Sequence, residues 1–380
     1  MPKTLIITLE YPPQIGGVSS YVYNLAAHLP AGDVVVYAPK IKGDKEFDST
    51  CPWKTYRYSP YWPIFIWPRW TRLIWQINRL IKKEKIERIF VHHALPVGYA
   101  TYFISRLKHV PYSLFFHGTD VEMGTNNHFK LAKLRRVCAR AQAIFTNSQF
   151  LKNKLEERLE LGNRASIVYS CPGNNFLVPS SEVDKEQLVS RLALGGKKVI
   201  LTVARMAEGK GYPHLIRLLP KILEKVPNLV WLIIGDGPKK EEVIKLTQRY
   251  NLQNVARFLG NIPHKDLPVY YQIADLFVLL THKDEETEEG LGTVFLEAAA
   301  SGVPVVGGRV GGVEEVVKNL ETGILVDTFG DVSVIAAITN LLLEKENAKQ
   351  MGLAGRTMVQ KEFTWEEQVA KINLALTPQS

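Results

Sequence analysis

From one end of this 380-residue chain to the other, short apolar runs of β-type alternate with amphipathic helical stretches, and that alternation restricts the fold more than any other feature. A strand joined to the next through a helical crossover returns parallel to it, so the pattern predicts doubly wound parallel sheets with helices on both faces. Strands are expected over residues 4–8, 34–38, 88–92, 112–117 and 143–147, with a helix over 18–29 following the first. A second series follows Pro172, with strands over 199–204, 229–235, 256–259, 276–280, 303–306 and 323–326. Between the series, residues 171–179 are rich in Pro, Gly and Asn and lack periodicity, which marks a linker. A chain of 380 residues exceeds what one core usually supports, so two α/β domains are expected, 1–172 and 173–363.

Three scattered cysteines, Cys51, Cys138 and Cys171, make neither a disulfide framework nor a zinc site and favour a reducing cytoplasm. Residues 1–8 run straight into a strand pattern rather than a signal peptide, and no uncharged apolar run reaches the roughly 18 residues that span a bilayer. Charge is uneven. Residues 1–172 hold 24 Lys and Arg against 12 Asp and Glu, leaving 23 against 26 for residues 173–380. The basic first half calls for an anionic partner, a membrane surface or a nucleic acid.

The richest local pattern is Glu289-Gly290-Leu291-Gly292-Thr293-Val294-Phe295-Leu296-Glu297, two carboxylates around a glycine turn that opens a short apolar helix. Glycines there let backbone approach a ligand closely, and the helix N-terminus offers free N–H groups and a positive dipole end to a diphosphate or hexose. By itself the pair fits a sugar site and two surface charges equally well. It is followed by a small-residue helix, a glycine stop at Gly302, a strand, and a glycine loop at Gly311-Gly312 entering another helix. A basic element, Arg205 with Lys210, follows the first strand of the second series; a planar fork and a point charge together suit two phosphoryl groups. Near the N-terminus, Gly16-Gly17 sits between strand and helix, where backbone amides can crowd an anion, although no dinucleotide fingerprint is present.

Together these motifs resemble the retaining glycosyltransferases of family 4, and the glutamate-to-glutamate stretch most resembles that of bacterial phosphatidylinositol mannoside mannosyltransferases. The resemblance implies a GT-B fold, two Rossmann-like domains facing each other across a cleft, with a terminal helix, residues 364–380, crossing back to complete the first. It implies that Glu297 binds ribose hydroxyls, Glu289 hexose hydroxyls, and Arg205 and Lys210 the diphosphate. Gly16 and Gly17 would lie over the diphosphate and acceptor, and His117, ending a first-domain strand, would contact the donor sugar; Asp120 beside it also reads as a cap. Gly235 and Asp236 would form a turn beside the nucleotide, with Leu259, Gly260 and Asn261 passing the base. No Asp-x-Asp motif occurs, so no metal-clamped diphosphate is expected, and no cofactor beyond a nucleoside diphosphate sugar, GDP-mannose favoured. Two departures stand out. The linker shows Gly173-Asn174-Asn175-Phe176 in place of the family's Asn-Gly-Val-Asp run, and residues 281–288 form an acidic insert, a candidate lip for acceptor choice.

Residues 53–85 interleave Trp53, Tyr56, Tyr58, Tyr61, Trp62, Phe65, Trp67, Trp70 and Trp75 with Arg57, Arg69, Arg72, Arg79, Lys82, Lys83 and Lys85. Such mixtures suit a lipid headgroup layer. Trp70, Leu73, Ile74, Ile77, Leu80 and Ile81 follow helical spacing and read as core, whereas Trp62, Phe65, Trp67 and Trp75 exceed that stripe. The expectation is therefore a cytoplasmic transferase held peripherally at the inner face of the cell membrane, moving a hexose, mannose foremost, to a lipid-linked or glycan acceptor, with no nucleic-acid partner. The alternatives are a UDP-sugar enzyme with a soluble or polysaccharide acceptor, a GT-B epimerase or phosphorylase, and a non-catalytic membrane- or nucleic-acid-binding protein on the same scaffold.

Overall fold

A computed structural model describes residues 2–125, 127–284 and 288–377. The chain divides into two compact units: one runs to Ser170 and resumes at Trp365, the other is Cys171–Thr364.

The first unit is built on a seven-stranded sheet of β1 (Thr4–Ile7), β2 (Val34–Pro39), β3 (Lys54–Tyr58), β4 (Arg88–Val91), β5 (Tyr112–Phe116), β6 (Ala143–Thr146) and β7 (Ala165–Ile167). Its order is β3-β2-β1-β4-β5-β6-β7, with every pair parallel. Central strands such as β2 and β5 are apolar runs covered on both faces, which parallel sheets require. The two edge strands escape the sequence pattern. Polar and only half-buried, β3 has no continuous apolar run, and β7 is three residues long. The last helix, Trp365–Leu376, belongs to this unit: Trp365 is fully buried edge-on to Tyr21 at 5.1 Å, and the Tyr169 amide donates to Gln368 Oε1 at 3.0 Å.

The second unit holds β8 (Lys198–Val203), β9 (Leu229–Ile234), β10 (Ala256–Gly260), β11 (Leu276–Leu279), β12 (Val305–Gly308) and β13 (Gly323–Val326). These are ordered β10-β9-β8-β11-β12-β13, again all parallel. The β12 strand begins after Pro304, which cannot donate to the ladder, so it lies later than residues 303–306. In each sheet the winding reverses once, between β1 and β4 and between β8 and β11. Loops leaving the carboxyl ends of such strand pairs diverge and leave a crevice, the ordinary ligand position of an open α/β sheet.

Candidate functional site

In the second unit the loops after β8 and β11 meet over that reversal. Lys210 Nζ donates to Glu289 Oε2 at 2.5 Å, joining residues that the sequence places on different parts of a donor. Both side chains remain partly open, 28% and 17% exposed. Glycine makes the meeting possible: Gly211 has φ +71°, and a Cβ there would lie 2.0 Å from the Leu280 carbonyl oxygen at the end of β11. The Glu289 loop is itself cradled. The Gly312 amide donates to the Glu289 carbonyl at 3.0 Å, and side chains at 311 or 312 would strike the Glu289 or Gly290 carbonyl oxygen at 2.0 or 2.1 Å. Gly292, at φ +81°, then turns the chain into the helix Thr293–Ala300, with Leu291 buried beneath. Glu285, Glu286 and Thr287 of the acidic insert lie outside the described residues.

Glu297 is no solvated charge; it is only 5% exposed. Its Oε2 accepts from the Tyr271 hydroxyl at 2.9 Å, and Oε1 lies 2.8 Å from His264 Nε2. Burial, reinforced by the Glu297 charge, pushes the Tyr271 phenol far above its usual range, so it remains a donor. Burial opposes charging His264, but attraction and hydrogen bonding to Glu297 outweigh it and raise the imidazole above its ordinary value. Neither partner was found in the sequence, because they come from 33 and 26 residues upstream and carry no motif. Phe176 of the linker is fully buried against both rings, 5.0 Å from His264 and 5.7 Å from Tyr271.

The carboxyl ends of β8, β9 and β10 are laced by backbone bonds: the Met206 amide to the Asp236 carbonyl at 3.0 Å, and the Gly235 amide to that of Gly260 at 2.8 Å. Gly235 is required there, since a Cβ would sit 2.1 Å from the Ala204 carbonyl oxygen. The Asp236 carboxylate holds the turn, accepting from the Gly237 amide and pairing with Lys240 at 2.8 Å. That bond to Lys240, with the amide's help, lowers its pKa. Leu259 and Gly260 end β10 and Asn261 is exposed beyond them. Arg205 is exposed, and its guanidinium has no partner among the described residues.

In the first unit the loops after β1, β4 and β5 converge likewise, with the Leu9 amide donating to His93 Nδ1 at 3.2 Å. His117 Nε2 lies 3.1 Å from Nδ1 of the fully buried His92, and Tyr21 packs edge-on against the His117 ring at 4.8 Å. Burial, then the neighbouring His93, pushes the His117 imidazole down to about 3, so it is neutral at physiological pH. Asp120 caps: its Oδ1 accepts from the amides of His117, Gly118 and Val121 at 3.0–3.1 Å. Burial raises its carboxyl to about 6 against those bonds. Gly16 precedes the helix Gly17–Ala27 in extended backbone at φ 166°, and a Cβ on Gly17 would meet nothing within 4 Å.

The aromatic and basic stretch divides sharply. Trp53 is buried and donates to the Tyr11 hydroxyl at 3.0 Å; Leu73, Ile77, Leu80 and Ile81 of the helix Thr71–Glu84 enter the core. Trp62 is half-buried with Arg72 over its ring at 5.1 Å. Phe65 and Trp67 stand out at 82% and 84% exposure beside exposed Ile64 and Ile66, and Trp75 is 53% exposed under Arg79. No helix among the described residues is long and apolar enough to cross a membrane.

Residues 15–171 match the family described as Glycosyltransferase Family 4, and residues 184–358 that described as Glycosyl transferases group 1. Among curated proteins the chain is 29% identical, over 97% of its own length and 96% of the other, to the GDP-mannose-dependent alpha-(1-6)-phosphatidylinositol monomannoside mannosyltransferase of Mycolicibacterium smegmatis. It is 25% identical to the monoacylated-substrate counterpart of Corynebacterium glutamicum, covering 96% and 95%. Solved structures share the fold: Anabaena HepE in complex with UDP, TM-score 0.81 at 18% identity over 98% and 100% of the two chains, and the sucrose-phosphate synthase of Thermosynechococcus elongatus, TM-score 0.80 at 21% identity over 98% of each.

Proposed function

From a chain that belongs to the glycosyltransferases of family 4, with the GT-B fold, we propose an enzyme that moves a hexose from a nucleoside diphosphate sugar to an acceptor with retention of anomeric configuration. The observation that carries this reading is the Lys210–Glu289 pair over the winding reversal of the second sheet. A lysine held by a carboxylate, with an exposed arginine on the same loop and a glycine-opened helix N-terminus after the carboxylate, presents positive groups to a diphosphate and an acceptor oxygen to sugar hydroxyls. As the glycosidic bond breaks, negative charge grows on the leaving diphosphate, and Lys210, Arg205 and the amides at Gly292 and Thr293 stabilise it. Glu289 takes the hexose hydroxyls; Glu297, oriented by His264 and Tyr271, takes the ribose hydroxyls. Gly235, Asp236, Leu259, Gly260, Asn261, Gly290 and Leu291 form the backbone walls of the nucleotide site. Gly16, Gly17 and His117 serve the sugar and acceptor from the first domain, taken as residues 1–172 with 364–380.

GDP-mannose is the favoured donor, because full-length relatives carry that dependence in their names. The favoured acceptor is a lipid-linked or glycan acceptor at an anionic membrane surface, reached through the first domain. Contiguous exposed apolar residues at 64–67, with Arg69 exposed two residues further on, suit insertion beside anionic headgroups. Thermal shift against GDP-mannose, UDP-glucose, UDP-galactose and UDP-N-acetylglucosamine tests the donor: the true donor stabilises at concentrations above its Kd. Preferential stabilisation by a UDP-sugar replaces the mannose reading. Co-sedimentation with anionic vesicles, lost in Phe65→Ser/Trp67→Ser, tests the membrane surface.

A further inference from the structure

In a neutral histidine pair joined by one hydrogen bond, a single N–H lies between the rings, and its position decides what the outer ring offers to a substrate. His92 and His117 form such a pair at 3.1 Å, with nearly parallel rings 5.4 Å apart. Their surroundings are unlike. His92 is completely buried, stacked on Phe115 at 4.5 Å, and its Nε2 has no partner among the described residues. His117 is only partly exposed, and its Nδ1 has no partner among the described residues. Burial holds both imidazoles neutral, so two arrangements remain. If His117 Nε2–H donated to His92 Nδ1, the His92 proton would sit on Nε2 as a buried N–H without an acceptor, the rarest kind of orphan in folded proteins. If His92 Nδ1–H donates to His117 Nε2, the buried orphan is only a lone pair, and the His117 proton moves to Nδ1, the edge that no other described group holds.

We propose that His92 is a positioning residue that locks His117 into its Nδ1–H tautomer, so that His117 meets the donor sugar or acceptor as a hydrogen-bond donor to oxygen and never as a base. The inference deepens the reading of His117 as a site residue and rests on it. Tyr21, edge-on to His117, and Phe115, stacked under His92, keep the rings from rotating out of this relation. The bond made by one ring nitrogen sets the protonation of the other.

The test is a long-range ¹⁵N–¹H correlation on the full chain labelled at histidine, with His117 assigned from the His117→Gln spectrum. His117 should show a protonated Nδ1 and an unprotonated Nε2 before any ligand is added. A protonated Nε2, or an averaged pair of nitrogens, overturns the proposal. His92→Asn, which keeps an amide N–H near the position of Nδ1, should retain the tautomer and most of kcat; His92→Leu should lose the tautomer and about tenfold or more in kcat with donor KM little changed, the usual scale for an orienting partner. A kcat loss in His92→Leu with the tautomer intact would make His92 merely structural. Unchanged turnover in His117→Ala would instead sink the site reading, leaving the spectroscopic result to stand alone.

Discussion

Two segments of this protein read almost alike, Gly16-Gly17-Val18 and Gly311-Gly312-Val313, each a glycine pair between a strand and a helix. Their surroundings make them opposites. The second pair is spoken for by the chain itself: the carbonyls of Glu289 and Gly290 occupy the space that side chains would need. The first is not; its backbone at Gly16 is extended, which any residue adopts, and the space above Gly17 is empty. Glycine whose absence of a side chain is used by the fold is structural, whereas glycine that the fold could do without leaves room for something else. Here that room lies at the helix start beside the β1–β4 reversal, the ordinary ligand position of an open α/β sheet.

Substitutions can break or sharpen this contrast. The largest effect is expected at the pair that the Gly311-Gly312 cradle supports: Lys210→Ala should lower kcat by roughly 10²–10³, the scale for removing one stabilising group from developing charge, while the melting temperature moves little. A purified variant retaining full turnover would remove this pair from the site. Next comes Gly312→Ala, whose overlap with the Gly290 carbonyl should cost about 1–3 kcal/mol and lower the melting temperature by several degrees, activity following stability. Gly17→Ala should do the reverse. Calorimetry should find it as stable as the parent or slightly more so, by up to about 1 kcal/mol, while kcat/KM falls about tenfold, ~1.4 kcal/mol of transition-state binding. Equal loss of stability at both glycine pairs would erase the distinction.

The smallest effect concerns pH. His264 has its imidazole raised above the ordinary 6.5 by Glu297. A group raised in the folded state stabilises most below its unfolded value, and that share disappears as pH climbs through the folded value. Melting temperature should therefore decline more between about pH 6 and pH 8 in the parent than in His264→Gln; parallel profiles would show that the pair adds nothing. His264 is more than a third exposed, so the difference should be small.

The parallel β-α alternation was legible because buried parallel strands must be apolar on both faces, and β1, β2, β5, β9 and β11 all have that pattern. Edge strands β3 and β7 were not, since an edge needs neither length nor continuous apolarity. Of the candidate site, Glu289 and Lys210 were visible as charges beside glycines, Arg205 as a cation just after a strand, and Glu297 as the second carboxylate of the glycine-turn motif. His264, Tyr271 and His92 were invisible: a lone histidine or tyrosine carries no periodicity, and its role depends on an atom brought near it by folding.

The amino-acid sequence alone thus determined the architecture, two parallel sheets with charged and glycine-rich loops at their carboxyl ends, because periodicity and turn chemistry are local properties. Only the tertiary structure decided which of two like glycine pairs is filled, that Lys210 and Glu289 hold each other, that Glu297 is buried between His264 and Tyr271, and that Phe65 and Trp67 face outward while Trp53 faces in. Each of these depends on contacts between segments far apart in the chain, and burial, pairing and steric exclusion do not exist until those segments meet.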